Sequence, residues 1–286
     1  MKLSFSTNAF VRHSLSEAVE KIAAAGYRSL EVLADVPHLY ADAISVEDLR
    51  RLKALLQRKG LQVANVNANT AAGYYQREFW EPLFEPSLAH PDPDRRRWRI
   101  NYTRKCIHMA RMLDAPCVSI TSGRMVPGIL PERSLDLLRH SLQEIALYAR
   151  ECGVRLGMEY EPGLLVECYE DLMALLHDLQ LPELGANLDL GHSHVLGEDP
   201  ETVIGGLASR IFHIHLEDIR ARKHYHLIPG TGDMDFQSLF QILKANGYSG
   251  FITVELYTYP QMPEEAAIKS LTYLQGFLPI SMKETQ

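Results

Sequence analysis

Four short β-rich runs in the second half of the chain each end on a residue able to bind a cation or move a proton. They are Val154-Arg155-Leu156-Gly157-Met158-Glu159, Leu184-Gly185-Ala186-Asn187-Leu188-Asp189, Ile211-Phe212-His213-Ile214-His215-Leu216 and Phe251-Ile252-Thr253-Val254-Glu255-Leu256. Side chains alternate along a strand, so residues two apart share a face. With Val154, Leu156 and Met158 turned to one side, Arg155, Gly157 and Glu159 take the other. The same rule groups Asn187 with Asp189, His213 with His215, and Thr253 with Glu255.

Burying three carboxylates together without a cation would cost several kcal/mol per ion. A bound divalent metal is the simplest relief. Hard oxygen donors and one imidazole suit Mn²⁺, Mg²⁺ or Co²⁺, with Zn²⁺ a further candidate, and the lack of thiolates argues against a structural zinc site. The bland alternative is a charged rim whose acids pair with Arg155, Arg124 or Lys223. It competes well for any one residue and poorly for four strands in succession. A metal beside two carboxylates suits removal of a proton α to a carbonyl, giving an enediolate that the metal steadies as a Lewis acid. Return of the proton to the opposite face is epimerisation, and return to the next carbon is aldose–ketose isomerisation. Dehydration of a keto-polyol shares the first step and differs in losing a hydroxyl.

The elements that must position these residues read as an alternation. Leu3–Ser6 begins it as a strand, followed by a helix over Ser14–Ala25 capped by Ser14 or Ser16 and closed by Gly26. Strands at Ser29–Leu33, Leu61–Val66 and Pro116–Thr121 are expected in the first half. The helices expected there are Ser45–Lys59, Asp94–Leu113 and Pro131–Cys152. In the second half, helices at Glu167–Leu179, Pro200–Ala208, Asp235–Asn246 and Pro263–Leu274 separate and follow the four chemical strands. Eight strands, each followed by a helix, predict a single-domain (β/α)8 TIM barrel over residues 1–286. An open doubly wound sheet would show a Gly-rich phosphate turn after an early strand, and none is present. One stretch breaks the rhythm. Residues 70–93, with Tyr74, Tyr75, Phe79, Trp80 and Phe84, are expected to form a long loop over the barrel mouth that acts as a lid.

Composition narrows the partners. A 46% hydrophobic, 23% charged chain is an ordinary globular protein, and a net charge of −7 argues against nucleic acid as its partner. No apolar run approaches the roughly 20 residues that span a bilayer, and no signal peptide is visible. Cys106, Cys117, Cys152 and Cys168 form no C-x-x-C pair, which fits a reduced, cytoplasmic protein.

At these same residues the chain resembles the xylose-isomerase-like TIM barrels, in particular their sugar isomerase and epimerase branch. That group includes ketose 3-epimerases, hydroxypyruvate isomerases, inosose dehydratases and metal-dependent apurinic endonucleases. The resemblance is carried by Gly153–Glu159, Asn187-Leu188-Asp189-Leu190-Gly191-His192, His213-Ile214-His215-Leu216-Glu217-Asp218 and Thr253-Val254-Glu255. It implies that Glu159, Asp189, His215 and Glu255 hold one divalent metal and that Glu159 and Glu255 also move protons. It implies a sugar or sugar-like substrate, phosphorylated or not, and a homo-oligomer. For His192 it implies contact with substrate or, as in the endonucleases, a further metal, and the same pair of readings applies to His226. Glu161, just before Pro162, is expected as a loop residue over the mouth, and an exchange of roles with Glu159 stays open. The endonuclease reading is weakened by Asn69 and by Ser122 or Thr121 where that branch has histidines.

Two further features carry weaker signals. Asn67 and Asn69 end the third strand and could bind substrate hydroxyls, with turn chemistry an equal reading. Gly230-Thr231-Gly232 could offer backbone N–H groups to a phosphate, as barrels often do near their last strands.

Overall fold

The structure, a computed structural model, describes residues 1–75 and 83–278. Phe79 and Trp80, part of the expected aromatic lid, lie outside the described residues. Eight parallel strands close into a barrel: β1 (Lys2–Ser6), β2 (Ser29–Leu33), β3 (Gln62–Asn67), β4 (Cys117–Thr121), β5 (Arg155–Glu159), β6 (Leu184–Asp189), β7 (Ile211–Leu216) and β10 (Phe251–Val254). Their order around the ring is β1-β10-β7-β6-β5-β4-β3-β2. This is the TIM barrel expected from the alternation.

Register explains why the chemical residues meet. Asp189 pairs with His215, Thr253 with His215, and Thr121 with Glu159, so the strand ends stand at a common height. Alternation sends Leu156, Met158, Leu188, Ile214 and Val254 outward, where they are buried beneath the surrounding helices. Arg155, expected to share the inward face, instead sits exposed at the start of β5. Its guanidinium lies over the Phe212 ring at 4.7 Å, far along the strand from the mouth.

The helices are α1 (Leu15–Ala24), α2 (Val46–Lys59), α3 (Ala72–Tyr75), α4 (Pro93–Met112), α5 (Pro131–Cys152), α6 (Tyr169–Leu179), α7 (Leu190–Leu196), α8 (Pro200–Leu207), α9 (Phe236–Ala245) and α10 (Pro263–Leu274). Ser14 caps α1 through a capping box with Glu17, and Ser45 does the same for α2 with Asp48. Each such cap contributes about 1 kcal/mol. Gly60 and Gly153 end α2 and α5 at φ +64° and +67°, a left-handed turn that glycine enters without strain. Among the described residues, no helix is long and apolar enough to cross a membrane.

The alternation missed three insertions. Helix α7 starts directly from Asp189, whose Oδ1 accepts from the His192 N–H and so caps it. An antiparallel hairpin, β8 (Asp218–Arg220) and β9 (Lys223–Leu227), follows β7. Helix α3 lies inside the long segment after β3, where Tyr74 packs on Trp98 of α4 with ring centroids 4.6 Å apart.

The end of β3 is tied down from α4. Arg99, 1% exposed, donates to the carbonyls of Ala68, Asn69 and Thr70. Asp35, after β2, accepts from the N–H groups of Val36, Ala72 and Gly73 and from the Thr70 hydroxyl. A buried ion held by several backbone groups fixes the turn that carries Asn67 and Asn69.

Candidate active site

Glu159, Asp189, His215 and Glu255 converge at the C-terminal mouth of the barrel, where such folds build their active sites. All four are buried, and one donor atom from each lies within 4.8 Å of the others. The two glutamates are held alike. Glu159 Oε2 accepts from the amides of Asn69, at 2.8 Å, and Asn187. Glu255 Oε1 accepts from Asn8 and Asn67, both at 3.0 Å. Each glutamate is thus gripped by one oxygen, which leaves the second for other partners.

His215 is oriented from the opposite wall. Its Nε2 lies 2.6 Å from Glu31 Oε2, and its Nδ1 lies 3.1 Å from Glu159 Oε2 and 3.8 Å from Glu255 Oε1. Burial alone would push this imidazole toward neutrality, but the charges of Glu31, Glu255 and Glu159 outweigh it and raise its pKa well above the usual range. Burial likewise favours a neutral Glu31, and the facing His215 and His213 reverse this, holding its carboxyl well below normal. Glu255 is pushed up to about 8, by burial first and then by the Glu159, Glu31 and Asp189 carboxylates, against the opposing pull of His215. The cluster holds more negative charge than its histidines neutralise.

A divalent cation fits this donor set. Asp189 Oδ2 is buried with no hydrogen-bond partner, an arrangement that is rare unless something else satisfies the oxygen. Three carboxylates and one imidazole nitrogen are hard and borderline donors, of the kind that hold Mn²⁺, Mg²⁺, Co²⁺ or Zn²⁺. The ion pairs made by Glu159, Asp189 and Glu255 run to histidines and not to Arg155, Arg124 or Lys223.

Beside the cluster, three imidazoles form a row. His192 Nε2 is 3.0 Å from His224 Nε2, which is 2.7 Å from His226 Nε2. The outer two are fixed by backbone carbonyls, His192 through Nδ1 to Tyr160 and His226 through Nδ1 to Glu255. Burial lowers the pKa of His226 to about 3, with Asp189 opposing and His192 and His224 adding to the fall. Glu161 is half-buried at the rim, where burial above all raises its carboxyl to about 7. It lies close to Glu159 and His192, whereas Glu159 itself belongs to the set of four.

These side chains line a cavity of about 430 Å³, with Asn67, Asn69, His192, His224, His226, Glu159, Glu161 and Glu255 on its walls. Thr70, Ala72, Leu83 and Phe84, from the long segment after β3, line it too. Of the residues named from the sequence, Glu159, Glu161, His192, His226, Glu255, Asn67 and Asn69 line this cavity and Asp189 and His215 join the glutamates in the cluster beside it, though Asn67 and Asn69 spend their amide N–H groups on the glutamates. The glycine pair does not serve as a phosphate loop. The Gly230 and Gly232 N–H groups donate to Asp218 Oδ2 at 2.9 and 2.7 Å, so a carboxylate already occupies the place of an anion.

Sequence reasoning passed over Glu31, Glu217, Asn8 and His224. Glu31 lies between outward Leu30 and Val32, so alternation alone marks it as inward. Glu217 is fully buried with no hydrogen bond to either carboxyl oxygen, and His226 Nδ1 stands 3.9 Å from Oε2; burial, then the Asp189 and Glu255 charges, raise its pKa well above normal. Gly191 makes room for it, since a Cβ there would stand 1.6 Å from Glu217 Oε1.

Fold and site together define a TIM barrel with a carboxylate–histidine cluster at its strand ends. A family described as "Xylose isomerase-like TIM barrel" matches residues 19–276, and the chain belongs to that family. Fructoselysine 3-epimerase of Shigella flexneri is 24% identical over 98% of this chain and 99% of that protein. An inosose dehydratase of Clostridium beijerinckii is 25% identical over 92% of this chain and 89% of its own length. Among solved structures, a D-tagatose 3-epimerase-like protein superposes with a TM-score of 0.81 at 24% identity, covering 97% of each chain. The IolI protein, whose crystal structure contains a zinc atom, gives 0.77 at 20% identity over 99% of this chain and 100% of that one. At these identities the two structures speak for the fold.

Proposed function

We propose that the protein is a divalent-metal-dependent sugar isomerase or epimerase that works by proton abstraction beside a carbonyl. The observation that carries this reading is the pair of buried glutamates, each clasped through one oxygen, flanking Asp189 and His215 within a 4.8 Å cluster. Glu159, Asp189, His215 and Glu255 would hold the metal. When bound, the cation supplies Lewis-acid stabilisation of negative charge developing on a carbonyl oxygen. Glu159 and Glu255 act on the substrate as the two bases, one removing the α proton to give an enediolate and the other returning a proton. The amides of Asn69, Asn187, Asn8 and Asn67 fix the direction in which each base points. His192 and His226, with Nδ1 held by backbone carbonyls and Nε2 facing His224, would border the substrate's oxygens, and Glu161 borders the entrance.

The sugar class is supported by the epimerase and dehydratase relatives that align along nearly the whole chain. The dehydratase relatives also favour a second reading on the same site, in which proton removal is followed by loss of a hydroxyl.

Incubation of the Mn²⁺-loaded protein with a panel of ketoses in heavy water, followed by NMR, tests this. Deuterium at a carbon next to the carbonyl, in a product of altered stereochemistry or carbonyl position, is the expected result. A product lacking one water would select the dehydratase. Failure to exchange any α proton across the panel would refute both readings, and cleavage of a duplex with an abasic site would select the endonuclease chemistry instead.

A further inference from the structure

The hairpin that carries His224 and His226 bends on two residues poorly suited to the turn they make. Arg220 pairs with Lys223, so Ala221 and Arg222 form the bend between them, at φ +53° and +55°. A two-residue turn with both φ positive matches the twist of a hairpin, and Asn-Gly or Gly-Gly enters it most easily. A side chain at either position holds the backbone where L residues are disfavoured. Such strain persists only where the surroundings impose it, and it gathers at functional sites.

Helix α7 imposes it here. Arg222 Nε donates to the His194 carbonyl at 3.3 Å. Its guanidinium occupies the place beside Gly197, the C-cap of α7, where a Cβ would all but coincide with Nη2. A cation at this end of a helix also meets the negative pole of its dipole. Asp233 adds a second tie, with Oδ2 accepting from the Ala221 N–H at 2.8 Å and Oδ1 standing 3.3 Å from His194 Nε2. Ala221 thus joins through its backbone, whereas Arg222 joins through its side chain.

The same helix starts from Asp189 and carries His192. The hairpin brings His224 to it, with Nε2 3.0 Å from that of His192 and 2.7 Å from that of His226. Convergence of the three imidazoles therefore depends on how two separate elements sit against each other. Arg222 itself is exposed and is not among the residues that line the cavity.

We infer that Arg222 is a positioning residue: its grip on His194 and Gly197 sets the hairpin so that His224 seats against His192 and completes the histidine side of the cavity. The inference rests on the reading that this side borders the substrate, and it adds to that reading a residue outside the cavity. Strain makes the role separable from stability. Glycine at 222 relieves the backbone and removes the grip, so stability and function should part company.

Arg222→Gly and Ala221→Gly, compared in the full chain, test this. Neither should lower the melting temperature, because glycine suits both turn positions. In the Mn²⁺-loaded protein, kcat/KM for α-proton exchange in a ketose substrate should fall by about tenfold or more in Arg222→Gly, with the larger share in KM, and stay unchanged in Ala221→Gly. Long-range ¹H–¹⁵N spectra of the Mg²⁺-loaded protein should show the His224 ring signals displaced in Arg222→Gly alone. Gly197→Ala, which expels the guanidinium without altering Arg222, should reproduce the fall in kcat/KM and add nothing to it in the double variant.

An equal fall in both glycine variants would assign the effect to a loosened turn and overturn the inference, as would additive losses in the double variant. A lower melting temperature in Arg222→Gly with unmoved His224 signals would make Arg222 a residue of stability alone and also overturn it. If no ketose exchanges an α proton, the isomerase reading fails, and the His224 signals decide the inference by themselves: displaced they support it, unmoved they refute it.

Discussion

Glu31 on β2 and His215 on β7 meet across the barrel interior, Oε2 to Nε2 at 2.6 Å, although 184 residues separate them in the chain. With Nε2–H donated to Glu31, Nδ1 faces Glu159 and Glu255 and is the nitrogen that would be offered to a bound cation. Carboxylates placed in this way behind a ligating histidine raise its basicity and fix its ring, and their loss typically costs 10–100-fold in metal affinity. Glu31→Gln keeps the volume and an acceptor oxygen but removes the charge. Calorimetric titration should show Mn²⁺ or Zn²⁺ affinity reduced by about 10–100-fold, with a native circular dichroism spectrum. Unchanged affinity would show that the ion, where it binds, does not depend on His215.

The same pair shows what was legible in the sequence. Glu159, Asp189, His215 and Glu255 are visible because each ends an alternating run and the four runs follow one another. Glu31 obeys the same alternation, between Leu30 and Val32, but its strand belongs to the first half and no neighbouring run points to it. Asn8 was hidden for a different reason. It lies in a single 3₁₀ turn after β1, where neither a period of two nor one of 3.6 applies, and its contact with Glu255 spans 247 residues. The hairpin of β8 and β9 is too short to show a period. Gly230 and Gly232 read as a phosphate loop because Asp218, which satisfies their N–H groups, lies 12 and 14 residues upstream.

The two glutamates should be separable from the fold. Glu159→Gln and Glu255→Gln preserve shape and an acceptor for the flanking asparagine amides, and both remove a charge from a cluster rich in negative charge. On the proposed mechanism turnover should fall by at least about a thousandfold, since each variant would lose a general base and one metal ligand together. Thermal unfolding monitored by circular dichroism should show a folded barrel in both. Activity close to that of the unaltered protein in either variant would remove that glutamate from the chemistry.

Metal removal should be read out in stability as well as activity. A ligand that binds only the folded state adds RT ln(1 + [L]/Kd), about 2.7 kcal/mol at a hundredfold excess over Kd. Dialysis against chelator should therefore lower the melting temperature by several degrees, and Mn²⁺ should restore it. Asp189→Asn and His215→Ala should each abolish the restored increment. A melting temperature that still rises on adding metal to both variants would place the cation elsewhere in the molecule.

Arg99 offers a test of how the site is held from behind. Its guanidinium is the donor to three successive carbonyls, and through them it sets the turn from which Asn69 reaches Glu159. Arg99→Leu fills the space with carbon but leaves those carbonyls buried without their donor, and hydrogen bonds to a charged group are worth about 1.5–3 kcal/mol each. Urea unfolding should show a loss of about 3 kcal/mol or more. The loss should carry a functional signature that simple destabilisation lacks: at low temperature, where the variant is fully folded, turnover should stay depressed because Asn69 no longer aims Glu159. Arg99→Lys, with three donors on one nitrogen and no planar fork, should recover part of the stability and less of the turnover. Full activity in the folded Arg99→Leu protein would mean that Glu159 is aimed by Asn187 alone.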